Sequence, residues 1–248
     1  MAQSVKKTII VNGTPYIGAV GVNALESLGN TAKLTVNANF DKKTSPNFQG
    51  GGGNEKVFQR FKDGTVTLDC RQTSITLLEI ALGGTSETIA AGAVADEAHT
   101  VVALDKLIQF DHMQDMSIPL IVSPAAGGTA YVEGTDYLRK RAGIIPLSSG
   151  AIAAAAEIEC AYTKHKHARI QALMKTVTEK GLLFDGKDEV EGAPFLVKFH
   201  RVGFGPTKTL EFIGEDFLNW TIEGEILAYE GITDPAKSQF YESKIGGL

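Results

Sequence analysis

Between residues 32 and 40 the sequence alternates without interruption. Ala32, Leu34, Val36, Ala38 and Phe40 take one face, and Lys33, Thr35, Asn37 and Asn39 take the other. Only an extended chain with one face toward a core and one toward water satisfies that spacing, so a half-buried antiparallel strand is predicted there. The pattern returns over residues 65–70, with Val66, Leu68 and Cys70 inward, and over 157–163, with Ile158, Cys160 and Tyr162 inward. Its longest run sets Leu218, Trp220, Ile222, Ile226 and Ala228 against Asn219, Thr221, Glu223 and Glu225. Gly224 stands where an apolar residue is due, which marks a bulge or a close backbone approach. Shorter strand candidates cover residues 8–11, 101–104, 117–122, 129–132, 170–174, 181–184, 195–202 and 209–213. A mainly β, antiparallel fold is expected.

Helix is scarce. Residues 73–82 (TSITLLEIAL) place Ile75, Leu78 and Leu82 at helical spacing, with Thr73 or Ser74 as N-cap and Gly83-Gly84 as the stop. The alanine-rich stretch 150–156 is too short to nucleate a helix alone and reads as a turn into a strand. Glu133-Gly134-Thr135-Asp136, between TAYV and YLRK, reads as a hairpin loop. No fixed-period repeat appears, and no linker divides the chain, so residues 1–248 are treated as one domain.

One segment does not fit a small β domain. Residues 41–64 (DKKTSPNFQGGGGNEKVFQRFKDG) separate two strands by a length that unstructured loops rarely reach. The segment joins the tetraglycine Gly50, Gly51, Gly52 and Gly53 to three aromatics, Phe48, Phe58 and Phe61. A linker has no use for three phenylalanines, whereas a segment that lies on another surface does. It is therefore expected to be a long loop packing on an adjacent subunit.

Composition narrows the function classes. The chain has 43% hydrophobic residues and a net charge of -5, enough apolar content for a core and too little charge for disorder. No apolar run approaches a membrane helix, and the opening MAQSVKKTII lacks a signal-peptide core, so no membrane insertion is expected. Two cysteines do not make a disulfide framework, which favours a reducing compartment. A sequence pI of about 5.6 argues against charge-driven nucleic-acid binding.

No motif carries chemistry. The tetraglycine is followed by Asn54-Glu55-Lys56-Val57 rather than the Lys-Ser/Thr of a P-loop. His165 and His167 share a strand face near Cys160, but a metal site needs further ligands. A G-x-S-x-G elbow is missing. The pairs Glu157/Glu159 and Glu223/Glu225 read as a solvated acidic face, with nothing local to raise one pKa as a glycosidase requires. No catalytic residue, cofactor or metal is assigned, and an enzyme is not expected. From residue 209 to 230 there are six acids, Glu211, Glu215, Asp216, Glu223, Glu225 and Glu230, and no Lys or Arg.

Taken in order, these pieces resemble the tail tube (major tail) proteins of long-tailed phages over most of the chain. The series runs from Leu28-Gly29-Asn30-Thr31 through the alternating strand, the long loop, DGTVTLDC, the ITLLEIALGG helix, VVALDKLIQFDH and YVEGTDYLRKRAGII. It closes on the stretch from GLLFDGKDEVEG to FLNWTIEGEIL. The resemblance implies an antiparallel β-sandwich or barrel-like tail-tube fold with a flanking helix, and copies stacked as hexameric rings into a hollow tube. It further implies that loop and terminal arms reach onto neighbouring subunits, and that DNA passes through the tube without specific binding. The other partners would be tail proteins: tape measure, terminator or sheath. The protein would reside in the virion tail after assembly in the host cytoplasm. On that reading Glu157, Glu159, Asn219, Thr221, Glu223 and Glu225 are the candidate lumen residues, because an acidic wall repels phosphate.

The rivals are a tail terminator or sheath-related component and a carbohydrate-binding adhesion module. A sheath subunit usually carries extra domains. A glycan binder displays aromatics, whereas Trp220 is placed on an apolar face.

Overall fold

The computed structural model describes residues 8–246. Strands β1 (Val11–Gly18), β2 (Leu25–Ser27), β3 (Thr31–Pro46) and β4 (Asn54–Cys70) precede the helix α1 (Ile75–Ala81). Next come β5 (Thr85–Ile89), β6 (Gly92–Thr100), β7 (Ile108–Gln109), β8 (Ile121–Pro124), β9 (Tyr137–Lys140), β10 (Gly143–Pro146) and β11 (Glu157–Lys164). The chain ends with β12 (His167–Gln171), β13 (Thr178–Asp188), β14 (Pro194–Phe204), β15 (Trp220–Ile226) and β16 (Tyr241–Ile245). The fold is mainly β with antiparallel ladders, as the alternation requires. The residues pack as two compact units, one that reaches Ser86 and resumes at Ile170 and another that runs Glu87–Arg169.

The first unit is built on an eight-stranded sheet in the order β2-β1-β13-β14-β15-β4-β3, with β16 beside β14. Its core includes most of the inward residues predicted on two strands, although Leu218, expected among them, lies before the strand and is exposed. Val66, Leu68 and Cys70 of β4 pair with Gly224, Ile222 and Trp220 of β15, and all six are buried. Gly224 sits in an unbroken register, so it marks no bulge. It admits the side chains of Val202 and Phe204, whose nearest atoms would lie 2.6 and 2.7 Å from an added Cβ. α1 begins at the N-cap Ser74, whose Oγ accepts the Leu77 N–H, and stops before Gly83 in the left-handed region (φ 57°). The helix buries Leu77, Ile80 and Ala81 rather than the predicted Ile75/Leu78/Leu82 stripe. Six of the ten residues of TSITLLEIAL are apolar and they spread over more than half of the helix circumference, so periodicity selects no single face and packing decides.

The long loop expected over residues 41–64 is a β-hairpin instead. β3 and β4 stay paired from Thr31↔Cys70 out to Pro46↔Asn54, and only residues 47–53 turn. Asn47 organises that turn: its N–H donates to the Gly53 carbonyl, and its side-chain oxygen accepts the Gln49 N–H. All four glycines have positive φ, a geometry costly for other residues. A bulge leaves Lys62 unopposed between the Asn39↔Asp63 and Phe40↔Phe61 pairs. The extra residue breaks the period of two, which hides the strand from a pattern search. β3 is an edge strand, and of its predicted inward set only Leu34 packs against the core; Val36 and Phe40 are exposed.

The second unit holds two three-stranded sheets, β6-β11-β8 and β7-β10-β9. Between Val101 and Tyr162 they supply one core that includes the predicted Ile158, Cys160 and Tyr162. The hairpin expected around Glu133–Asp136 is not formed; β9 pairs with β10 instead. Asp136 takes another role there, its carboxylate accepting the N–H groups of Val132 and Ala151. The strand candidates 8–11, 101–104, 129–132 and 209–213 also fail, apart from Val11 at the start of β1, and of 117–122 and 170–174 only residues 121–122 and 170–171 are strand. Turn hydrogen bonds and edge positions decide those segments. Val101, for example, is buried in the core without belonging to a strand. Of the expected terminal arms, residues 1–7 and 247–248 lie outside the described residues, and β16 is a strand of the chain's own sheet.

Because the space at Gly224 is already filled, Gly224→Ala is expected to lower unfolding free energy by about 1–3 kcal/mol, read as a lower urea midpoint at unchanged slope.

Candidate functional site

A strand pairing that buries one face must present the other. Opposite the core, β3, β4 and β15 offer three outward rows: Lys33, Asp69 and Thr221; Thr35, Thr67 and Glu223; Asn37, Thr65 and Glu225. The face is rich in hydroxyls and amides. Thr221 donates to Asp69 Oδ1 at 2.8 Å, which fixes both side chains. The three carboxylates Asp69, Glu223 and Glu225 share these rows with one cation, Lys33. Lys208, just before the basic-free stretch, reaches Glu223 at 3.4 Å. The negative sign seen along the sequence is therefore diluted in space but not reversed.

Four of the six lumen candidates, Asn219, Thr221, Glu223 and Glu225, lie together on or beside β15 and are exposed. Glu157 and Glu159 stand on β11 in the other unit, in a different sheet. One face therefore does not carry all six. The sequence pattern shows the parity of each strand but not its sheet.

The aromatic residues of the hairpin also separate. Phe61 folds back to its own chain, 4.7 Å between ring centroids from Phe240. Phe48 in the turn is 90% exposed and Phe58 is 60% exposed, with Val57 exposed beside it. Gly50, Gly51, Gly52 and Gly53 have open space where a Cβ would stand. An isolated two-stranded ribbon is at best marginally stable in water, and apolar side chains on it gain most from a partner surface.

Residues 8–244 match the model of the family described as protein of unknown function UCP028589. The chain belongs to that family. No curated protein matches it.

Burial pushes the Cys160 thiol up to about 12 and raises Cys70 as well, so both are poor nucleophiles. His165 and His167 turn Nδ1 to backbone carbonyl oxygens, and Cys160 lies in the second unit's core, so the suggested trio does not converge. Among the described residues no group of three or more His, Cys, Asp or Glu is placed to hold a metal.

Between the outward face and residues 205–219 lies an open recess of about 1060 Å³, with Thr65, Thr221 and Glu225 on one wall and Lys208, Glu215 and Phe217 on the other. Residues 209–213, expected to be a strand, belong instead to this irregular crossing. The basic-free stretch was its only visible signal.

At the margin of the face Arg201 grips Glu179 through two hydrogen bonds of 2.9 and 2.7 Å. The guanidinium holds the Glu179 carboxyl below its ordinary value. A lowered folded-state pKa stabilises the fold above the unfolded value, and that contribution is lost as pH falls through the folded value. Stability measured from about pH 6 down to about pH 3 should therefore fall less steeply in Glu179→Gln than in the parent protein.

Proposed function

We propose that this protein is a phage tail-tube subunit. Copies join as rings, taken as hexameric from the resemblance, and the rings stack into a hollow conduit for DNA in the virion tail. The carrying observation is the β3–β4 hairpin, which continues past the sheet and exposes Phe48, Val57 and Phe58 where the described chain offers no cover. Such a surface in one subunit is explained by burial against the next.

Two further features support the reading. The eight-stranded sheet ends in edge strands, β2 on one side and the sixteen-residue β3 on the other. Open edges are a liability in a monomer and become joints when copies close a barrel around an axis. The outward face of β3, β4 and β15 suits the lumen: hydroxyl-rich, with carboxylates in excess over Lys33, it offers duplex DNA no cationic grip. Asn219, Thr221, Glu223 and Glu225 are the lumen residues on this assignment. Tape measure, terminator and sheath proteins are the partners that the same reading implies.

Negative-stain microscopy of the purified protein is expected to show hollow, regularly striated tubes; a stable monomer at high concentration overturns the proposal. Deleting residues 45–54, which removes the turn and Phe48, should leave a folded monomer by circular dichroism that forms no tubes. Normal tubes from that variant would remove the hairpin from the assembly.

A further inference from the structure

Residues 209–219 form a second exposed apolar surface in the same unit as the hairpin. The segment crosses from β14 to β15 without regular structure and carries Phe212, Ile213 and Phe217. Phe212 makes an edge contact with Trp220, whose indole N–H donates to Thr73 at 2.7 Å. The segment is thus tied down at its start, where Leu210 packs against the core and Phe212 meets Trp220. Beyond it, Ile213 is 96% exposed and Phe217 90% exposed. Beneath it lies the open recess rather than packed core.

Charge distinguishes the two exposed surfaces. Residues 209–219 hold Glu211, Glu215 and Asp216 and no Lys or Arg. Residues 42–58 of the hairpin hold Lys42, Lys43 and Lys56 against Glu55 alone. Each surface therefore combines exposed aromatic and aliphatic groups with a charge sign opposite to the other's.

Their placement prevents them from meeting within one molecule. β4 starts at Asn54, beside the hairpin turn, and ends at Cys70, which pairs with Trp220 at the close of the acidic segment. At about 3.3 Å per residue its seventeen residues span roughly 50 Å. The basic aromatic surface stands at the turn end of that strand, and the acidic segment borders a recess that reaches along it from Arg71 as far as Thr65, seven residues or roughly 23 Å short of Phe58. Two complementary patches set apart along one strand make a head-to-tail contact between copies, which closes as a ring or propagates as a filament according to the rotation between neighbours.

We propose that residues 209–219 are the acceptor for the hairpin of a second copy of this chain. Phe48 and Phe58 are buried against Ile213 and Phe217, and Lys42, Lys43 and Lys56 face Glu211, Glu215 and Asp216. The inference rests on the stacked-ring reading for the assembly that it serves, while the contact itself is argued from charge, exposure and the length of β4.

Engineered disulfides test it, because the native thiols of Cys70 and Cys160 are buried. With an added oxidant, Phe48→Cys combined with Phe217→Cys should give a ladder of covalent multimers, and either substitution alone should stay monomeric on a denaturing gel. The triple reversal Lys42→Glu, Lys43→Glu and Lys56→Glu should abolish the ladder. Adding Glu211→Lys, Glu215→Lys and Asp216→Lys to the same chain should restore it. Circular dichroism and thermal melts of each variant show that loss of the ladder is not loss of the fold. Dimers from Phe48→Cys alone would indicate a like-to-like contact and overturn the proposal. Hollow tubes without a ladder would overturn this contact and leave the tube reading standing. A ladder in assemblies that are not hollow would do the reverse, and neither ladder nor tubes would overturn both.

Discussion

The β4–β15 ladder is the constraint on which the first unit depends. Three consecutive inward pairs, Val66 with Gly224, Leu68 with Ile222 and Cys70 with Trp220, are buried between the sheet and the residues packed against it. Side chains on a strand alternate strictly, so a slip of one residue would carry all of these to water and drag Thr67, Asp69, Glu223 and Glu225 inward. The cost of burying those carboxylates fixes the register as firmly as the apolar gain does. The polar outward face is therefore a consequence of the core.

The same strand links that core to the assembly surface. The Cys70 end of β4 is locked in the interior and its Asn54 end reaches the exposed turn, so the hairpin projects from a fixed base. The bulge at Lys62 turns Phe61 toward Phe240 and leaves Phe58 outside. Anchoring and display are thus divided between two phenylalanines three residues apart. Gly224 contributes at the other end: it lets Val202 and Phe204 approach β15, keeping the sheet tightly filled beneath the outward rows.

Much of this was legible in the residues alone. The inward sets of β4 and β11, the inward Trp220, Ile222 and Ile226 of β15, the Ser74 cap and the polar parity of Thr221, Glu223 and Glu225 all follow from spacing, because each strand or helix end meets its partner with a local pattern intact. The hairpin was not legible. Past Phe40 neither face of β3 is buried, and the bulge breaks the period, so backbone pairing holds the ribbon without leaving a side-chain signature. The helix face was equally silent, since five of its seven residues, Ile75, Leu77, Leu78, Ile80 and Ala81, and the flanking Leu82 are apolar.

By itself, then, the sequence determined that the chain is a β protein, which residues on its regular strands face inward, and that a glycine-rich, phenylalanine-bearing segment needs an unusual setting. Those properties rest on alternation and turn chemistry, which act between near neighbours. Only the tertiary structure decided that Glu157 and Glu159 stand in a different sheet from Glu223 and Glu225, and that Phe61 is anchored while Phe48 and Phe58 are displayed. It also set the basic and acidic surfaces apart along β4. Each of these depends on which strands pair across long sequence separations, and backbone hydrogen bonding is nearly indifferent to the side chains that would have to announce it.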